Sequence, residues 1–131
     1  MRTLTLPPLF LLAIFLLHGG IVVGQENNSR LDPNLEAGLN KQINEEMFSS
    51  YLYLSMAAYF ESANLPGFAN WMRVQTQEET LHAMMFFDYV NERNGRVLLT
   101  KIEAPKTEWK SPLDAFTEAY NHEKHISERI R

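Results

Sequence analysis

The chain has 131 residues, 45% of them hydrophobic and 21% charged, which is enough for one domain of modest size. It has no cysteine, so disulfide scaffolds, thiolate zinc sites, iron–sulfur clusters and cysteine nucleophiles are excluded together. A formal net charge of -4 argues against nucleic acid as a partner, because phosphate binding wants clustered Lys and Arg.

The charge is unevenly spread. Residues 3–25 contain no Asp, Glu, Lys or Arg, and Leu9 to Leu17 is continuously apolar. Arg2 precedes this run, and Val22 and Gly24 are the small residues of a cleavage site before Gln25. The pattern predicts a signal peptide over residues 1–24, a short linker over 25–31 and a domain over 32–131. An uncleaved membrane anchor is the alternative, since the uncharged stretch is just long enough to span a bilayer. A cleaved leader implies a secreted, endomembrane or periplasmic protein. Asn27-Asn28-Ser29 adds one glycosylation acceptor, Asn27, for a eukaryotic host.

From Asp32 onward the pattern is helical. Asp32-Pro33 pairs an N-cap with proline at the first helical position, where its missing N–H costs nothing. The first helix runs to about Ser62, and Asn64-Leu65-Pro66-Gly67 punctuates the chain. A second helical run continues to about Arg93, where Asn94-Gly95 stops it. Residues 96–110 have no helical period and form a long connection. Ser111-Pro112, with Asp114 three residues after the serine, resembles a capping box and starts a third helix. That helix reaches Arg131 without a stop signal, which reads as a chain cut inside its pattern. A short link followed by a long one predicts an antiparallel helix pair and a crossover running the length of a bundle.

Steps of four and three place Leu39, Ile43, Glu46, Ser50, Tyr53, Ala57 and Phe60 on one stripe of the first helix. The second helix yields Phe68, Met72, Gln75, Glu79, His82, Phe86 and Tyr89; the third yields Leu113, Phe116, Tyr120, Glu123, Ser127 and Ile130. Such stripes face a bundle core. Each is apolar at its ends and ionisable near its middle. A carboxylate in a core costs several kcal/mol unless it is paired or coordinated. Glu79-Thr80-Leu81-His82 has the Glu-x-x-His spacing that sets two ligands side by side on a helix. With Glu46 and Glu123 it makes a set of carboxylates plus one imidazole, suited to iron or manganese. The bland alternative is a satisfied Glu79–His82 polar pair. Tyr53 reads either as a redox or hydrogen-bonding neighbour of the site or as an ordinary core tyrosine. His122 and His125 are expected to face solvent, and Met47, Met56, Met72, Met84 and Met85 to fill the core rather than bind haem.

The segments Asn44-Glu45-Glu46-Met47-Phe48-Ser49-Ser50-Tyr51-Leu52-Tyr53 and Gly67-Phe68-Ala69-Asn70-Trp71-Met72-Arg73 resemble non-haem ferritins of bacteria and archaea. So do Gln77-Glu78-Glu79-Thr80-Leu81-His82, the Ile102-Glu103-Ala104-Pro105 crossover and Tyr120-Asn121-His122-Glu123. The resemblance covers about residues 32–131. It implies an all-α, ferritin-like four-helix bundle, of which only the first two helices, the long crossover and the start of the third are present. It also implies a ferroxidase that oxidises Fe(II) with dioxygen or peroxide and stores Fe(III) in a closed cage of 24 subunits. By that resemblance Glu46 and His82 hold one iron, Glu79 bridges, Glu123 holds the second, Glu78 serves a looser third site and Tyr53 stands beside the centre. No haem is implied. Two other readings stay open: a rubrerythrin-like peroxide scavenger, and a catalytically silent or partner-completed secreted subunit.

Overall fold

The computed structural model describes residues 30–129. The predicted leader, Asn27 and Ile130 lie outside the described residues. Within them the chain is three helices and no strand: α1 (Pro33–Ser62), α2 (Pro66–Glu92) and α3 (Pro112–Arg129).

The helix ends follow from local chemistry. The Asp32 carboxylate accepts from the N–H groups of Asn34 at 2.9 Å and Leu35 at 3.2 Å, and Pro33 occupies the first turn. After α1, Asn64 takes φ 56°, its N–H reaches the Glu61 carbonyl and the Leu65 N–H reaches that of Phe60. After α2, Asn94 at φ 54° and Gly95 repeat the arrangement on Asn91 and Val90. Both are Schellman closures with asparagine in the left-handed position. At Gly95 a Cβ would meet the Val90 side chain and carbonyl at 3.0 Å, which explains the glycine there. Asp114 N–H donates to Ser111 Oγ at 3.2 Å at the start of α3, while the Asp114 carboxylate accepts from Lys110 N–H.

The short turn folds α2 back antiparallel on α1. Leu52, Tyr53, Met56, Ala57 and Phe60 of α1 pack with Ala69 and Met72 of α2 and with Trp109, Ala115 and Ala119. A second apolar cluster joins Leu31 and Ile43 to Ala83 and Val90. Ser50 Oγ donates to the Thr76 carbonyl at 3.0 Å between the two clusters. Residues 96–110 then climb α1 as predicted. Asn40 Nδ2 donates to the Arg96 carbonyl, Asn44 Nδ2 to that of Lys101, and Ser55 Oγ to that of Lys106. Trp109 meets Tyr59 edge-on at 5.3 Å, and its Nε1–H donates to Glu118 at 3.0 Å. These anchors return the chain to the far end of α1, so α3 runs antiparallel to it.

The third stripe needs correction. Leu113 is 75% exposed and Tyr120 56% exposed, while Ala115, Ala119 and Ile126 are buried. The buried face is centred on two alanines that allow close approach to α1, not on the bulkier residues beside them. Phe68, Met84 and Met85 are also exposed; Met56 and Met72 fill the core and Met47 is half-buried. Phe60 is completely buried and its ring meets Phe68 at 5.5 Å and Phe116 at 5.3 Å, so it touches all three helices. Phe60→Ala is expected to cost about 3–5 kcal/mol. Thermal melts should show a midpoint lowered by more than about 10 °C.

Candidate metal centre

The two apolar clusters leave a polar layer between them at the middle of the α1–α2 pair. One ligand atom each of Glu46, Glu79 and His82 lie within 4.8 Å of one another. Glu46 is 3% exposed, Glu79 is 6% exposed and His82 is half-buried. Glu46 stands one turn after Gln42, whose Nε2 donates to its carboxylate at 2.7 Å. Glu79 and His82 follow each other on one face of α2, with His82 Nδ1 3.4 Å from Glu79 Oε2. Among the described residues no other such trio of His, Asp or Glu occurs.

The electrostatics of this layer are those of a site short of positive charge. Burial pushes the Glu46 carboxyl up from 4.5 to about 8; the Gln42 hydrogen bond opposes this and the adjacent Glu79 carboxylate adds to it. The hydrogen bond to Glu79 raises the His82 imidazole above its ordinary value, against a smaller effect of burial. Two buried carboxylates facing one half-buried imidazole fit a divalent cation, whose charge would replace the proton on Glu46.

Tyr53 and Glu123 adjoin the trio without joining it. Tyr53 is 1% exposed and its hydroxyl donates to the Glu123 carboxylate. Burial, and then the Glu123 charge, raise the phenol so far that it stays protonated. Burial likewise raises Glu123, against the bond from Tyr53. Glu78 is exposed on α2, where it accepts from Gln75 Nε2 at 2.7 Å.

His122 departs from its expected place at the surface. It is partly buried against α1, with Nε2 2.7 Å from Ser49 Oγ and edge contacts to Phe48 at 5.8 Å and Tyr53 at 6.1 Å. Burial lowers its pKa. The sequence signal was Ala115, Ala119, His122 and Ile126, a regular line of four- and three-residue steps whose small members hide it. His125 is exposed, as expected.

A ferritin-like domain is matched over residues 36–131. The chain belongs to the ferritin-like domain family. It is 42% identical over 100 residues to the bacterial non-heme ferritin of Bacteroides fragilis strain YCH46, covering 76% of this chain and 63% of that relative. With the soma ferritin of Lymnaea stagnalis it shares 41% identity over 98 residues, 72% of this chain and 56% of the relative. The open-pore ferritin of the hyperthermophilic archaeon Archaeoglobus fulgidus superposes with a TM-score of 0.75 at 55% identity, over 76% of this chain and 61% of that one. The ferritin-like chain spans less than two thirds of each of these relatives, and its three helices form part of a four-helix bundle.

Proposed function

We propose that this ferritin-like protein is an iron-storage ferroxidase, with Fe(II) as its substrate. The observation that carries the reading is the Glu46–Glu79–His82 trio, two buried carboxylates and a half-buried imidazole whose donors lie within 4.8 Å of one another. Glu46 and His82 would hold one ferrous ion. Glu79, between them and Glu123, would share its carboxylate with a second ion held by Glu123. Glu78 would serve a third, looser position at the exposed side of α2.

Two adjacent ferrous ions each give one electron to a dioxygen, which takes up two protons and leaves as hydrogen peroxide. Peroxide serves as oxidant in the same way and is reduced to water. The Fe(III) produced hydrolyses, releases protons and is stored as mineral inside a closed cage of 24 subunits assembled from the whole protein. The chain's own contribution is electrostatic: it holds two cations closer than water would allow, and it lowers the cost of Fe(III) with three carboxylates. Tyr53 keeps its proton and orients Glu123. A leader over residues 1–24 would place this storage in an exported or endomembrane compartment.

The reading is tested by adding Fe(II) to the metal-free, full-length protein and following oxygen uptake and Fe(III) absorbance together. Two ferrous ions consumed per dioxygen in a fast first phase, followed by soluble mineral, is the expected result. Peroxide consumption that outruns mineral formation would support the rubrerythrin-like reading instead.

One observation favours the partner-completed subunit. Phe68 of α2 and Leu113 and Tyr120 of α3 are large apolar or aromatic side chains left exposed, surface that a partner could cover. Light scattering of the purified protein, before and after iron addition, separates a defined assembly that binds no iron from an active one.

A further inference from the structure

The placement of Glu123 poses a mechanical question. Glu46, Glu79 and His82 are set by the long α1–α2 pairing, but Glu123 belongs to α3, which meets α1 along a much shorter line. A small rotation of α3 about its own axis would carry Glu123 away from the layer. Something must fix that rotation.

His122, the residue before Glu123, is the side chain in position to do so. Its ring stands edge-on to Phe48 and Tyr53, one on each side along α1, with interplanar angles of 61° and 86°. Between those two residues the fully buried Ser49 lies 2.7 Å from His122 Nε2. The Ser49 hydroxyl has one proton and donates it to the Glu45 carbonyl at 3.0 Å. Its oxygen therefore accepts, and His122 Nε2 carries the hydrogen. The bond has a direction, and it ties α3 to the backbone of α1 through one serine. Tyr53 is shared: its ring packs against His122 and its hydroxyl donates to Glu123.

We propose that the Ser49–His122 hydrogen bond is a positioning device that sets the rotation of α3, and with it the Tyr53–Glu123 contact, so that Glu123 is presented to the second metal position. The proposal rests on the metal-centre reading above and deepens it. His122 touches neither metal in this scheme; it acts through Tyr53 and Glu123. The first position, built by α1 and α2 alone, is independent of it.

Co(II) titration of the metal-free, full-length protein tests this, because its visible absorption reports coordination and it does not turn over. Wild-type protein is expected to take up two Co(II) with distinct spectra. His122→Phe keeps the packing and removes the donor; the first ion should bind as in wild type and the second about tenfold more weakly, as expected for one lost buried hydrogen bond. Ser49→Ala should give the same selective loss from the other side, and the double variant should be no worse than either single one. His122→Gln, whose Nε2 can reach Ser49, should restore most of the second-site affinity and its spectrum. Second-site binding in His122→Phe as tight as in wild type overturns the proposal, as does equal weakening of both positions or failure of glutamine to rescue. A wild-type protein that takes up fewer than two Co(II) overturns the metal-centre reading itself.

Discussion

Glu79→Ala is expected to slow rapid Fe(II) oxidation by more than about a hundredfold, since loss of groups that merely orient ligands already costs roughly 10–100-fold. Glu79 lies at the centre of the layer. Its carboxylate is the neighbour of Glu46, the hydrogen-bond partner of His82 and one of the charges that reach Tyr53 and Glu123. Without it the two metal positions lose their common ligand, and two ferrous ions have no shared anion to offset their repulsion. The same substitution separates catalysis from folding. Once Glu46 loses its proton, near pH 8, it and Glu79 repel each other in the metal-free protein, so Glu79→Gln then removes a like charge while keeping shape and an acceptor for His82. Metal-free Glu79→Gln should therefore melt higher than wild type at pH 8 and still oxidise iron slowly. Stopped-flow oxidation rates with matched thermal melts check both halves. Wild-type rates in Glu79→Ala would remove the bridging role; a lower melting point in Glu79→Gln would mean that the layer is not strained by its charges.

How much of this was legible beforehand varies by helix. On α1 and in the middle of α2 the periodicity was sufficient, whereas at the ends of α2 Phe68 is exposed and Ala83 and Val90, off the predicted stripe, are the buried residues. Ile43, Glu46, Ser50, Tyr53, Ala57 and Phe60 are all buried, as are Met72, Gln75 and Glu79. Two long helices joined by a short turn must bury a continuous stripe, so a carboxylate in that stripe is a carboxylate in the core. The caps and the crossover were legible for a similar reason, because Asp32-Pro33, Asn64, Asn94-Gly95 and Ser111-Pro112 act locally. The third helix was not. Its inner face is Ala115, Ala119, His122 and Ile126, and a pattern search weighted to bulky residues follows Leu113 and Tyr120 onto the exposed side. Glu123 remained visible because it lies on the border shared by both lines, whereas His122 lies on the line whose first members are alanines, and the Ser49 that receives it is seventy-three positions away.

The metal-free protein is expected to lose stability as pH rises from about 6.5 to 8, and added divalent cation should restore it more at pH 8 than at pH 6. The sign follows from which state holds the proton. Burial raises the Glu46 carboxyl from 4.5 to about 8, so between those values the folded chain keeps a proton that the unfolded chain has released. Its contribution is complete below 4.5 and is lost as pH climbs to about 8. Glu123, also raised by burial, acts in the same direction. His82, raised above 6.5 by its bond to Glu79, has its full stabilising effect below 6.5 and loses it as pH rises through the folded value. His122 runs the other way: burial lowers it, so it costs stability as pH falls below 6.5 and is silent above. Above 6.5 nothing among these groups opposes the fall. One proton of difference is worth roughly 1 kcal/mol per pH unit, or several degrees of melting temperature for a chain of this size. Circular-dichroism melts in chelator from pH 5 to 8.5 read this slope, and Glu46→Gln should flatten it. A cation entering the trio displaces the Glu46 proton, so zinc or cobalt binding at pH 7 should release protons and do so less at pH 9. A melting temperature that is flat or rises between pH 6.5 and 8, or binding without proton release, would show that Glu46 is already ionised, and the layer would then be an ordinary polar pair rather than an acid held in reserve for a metal.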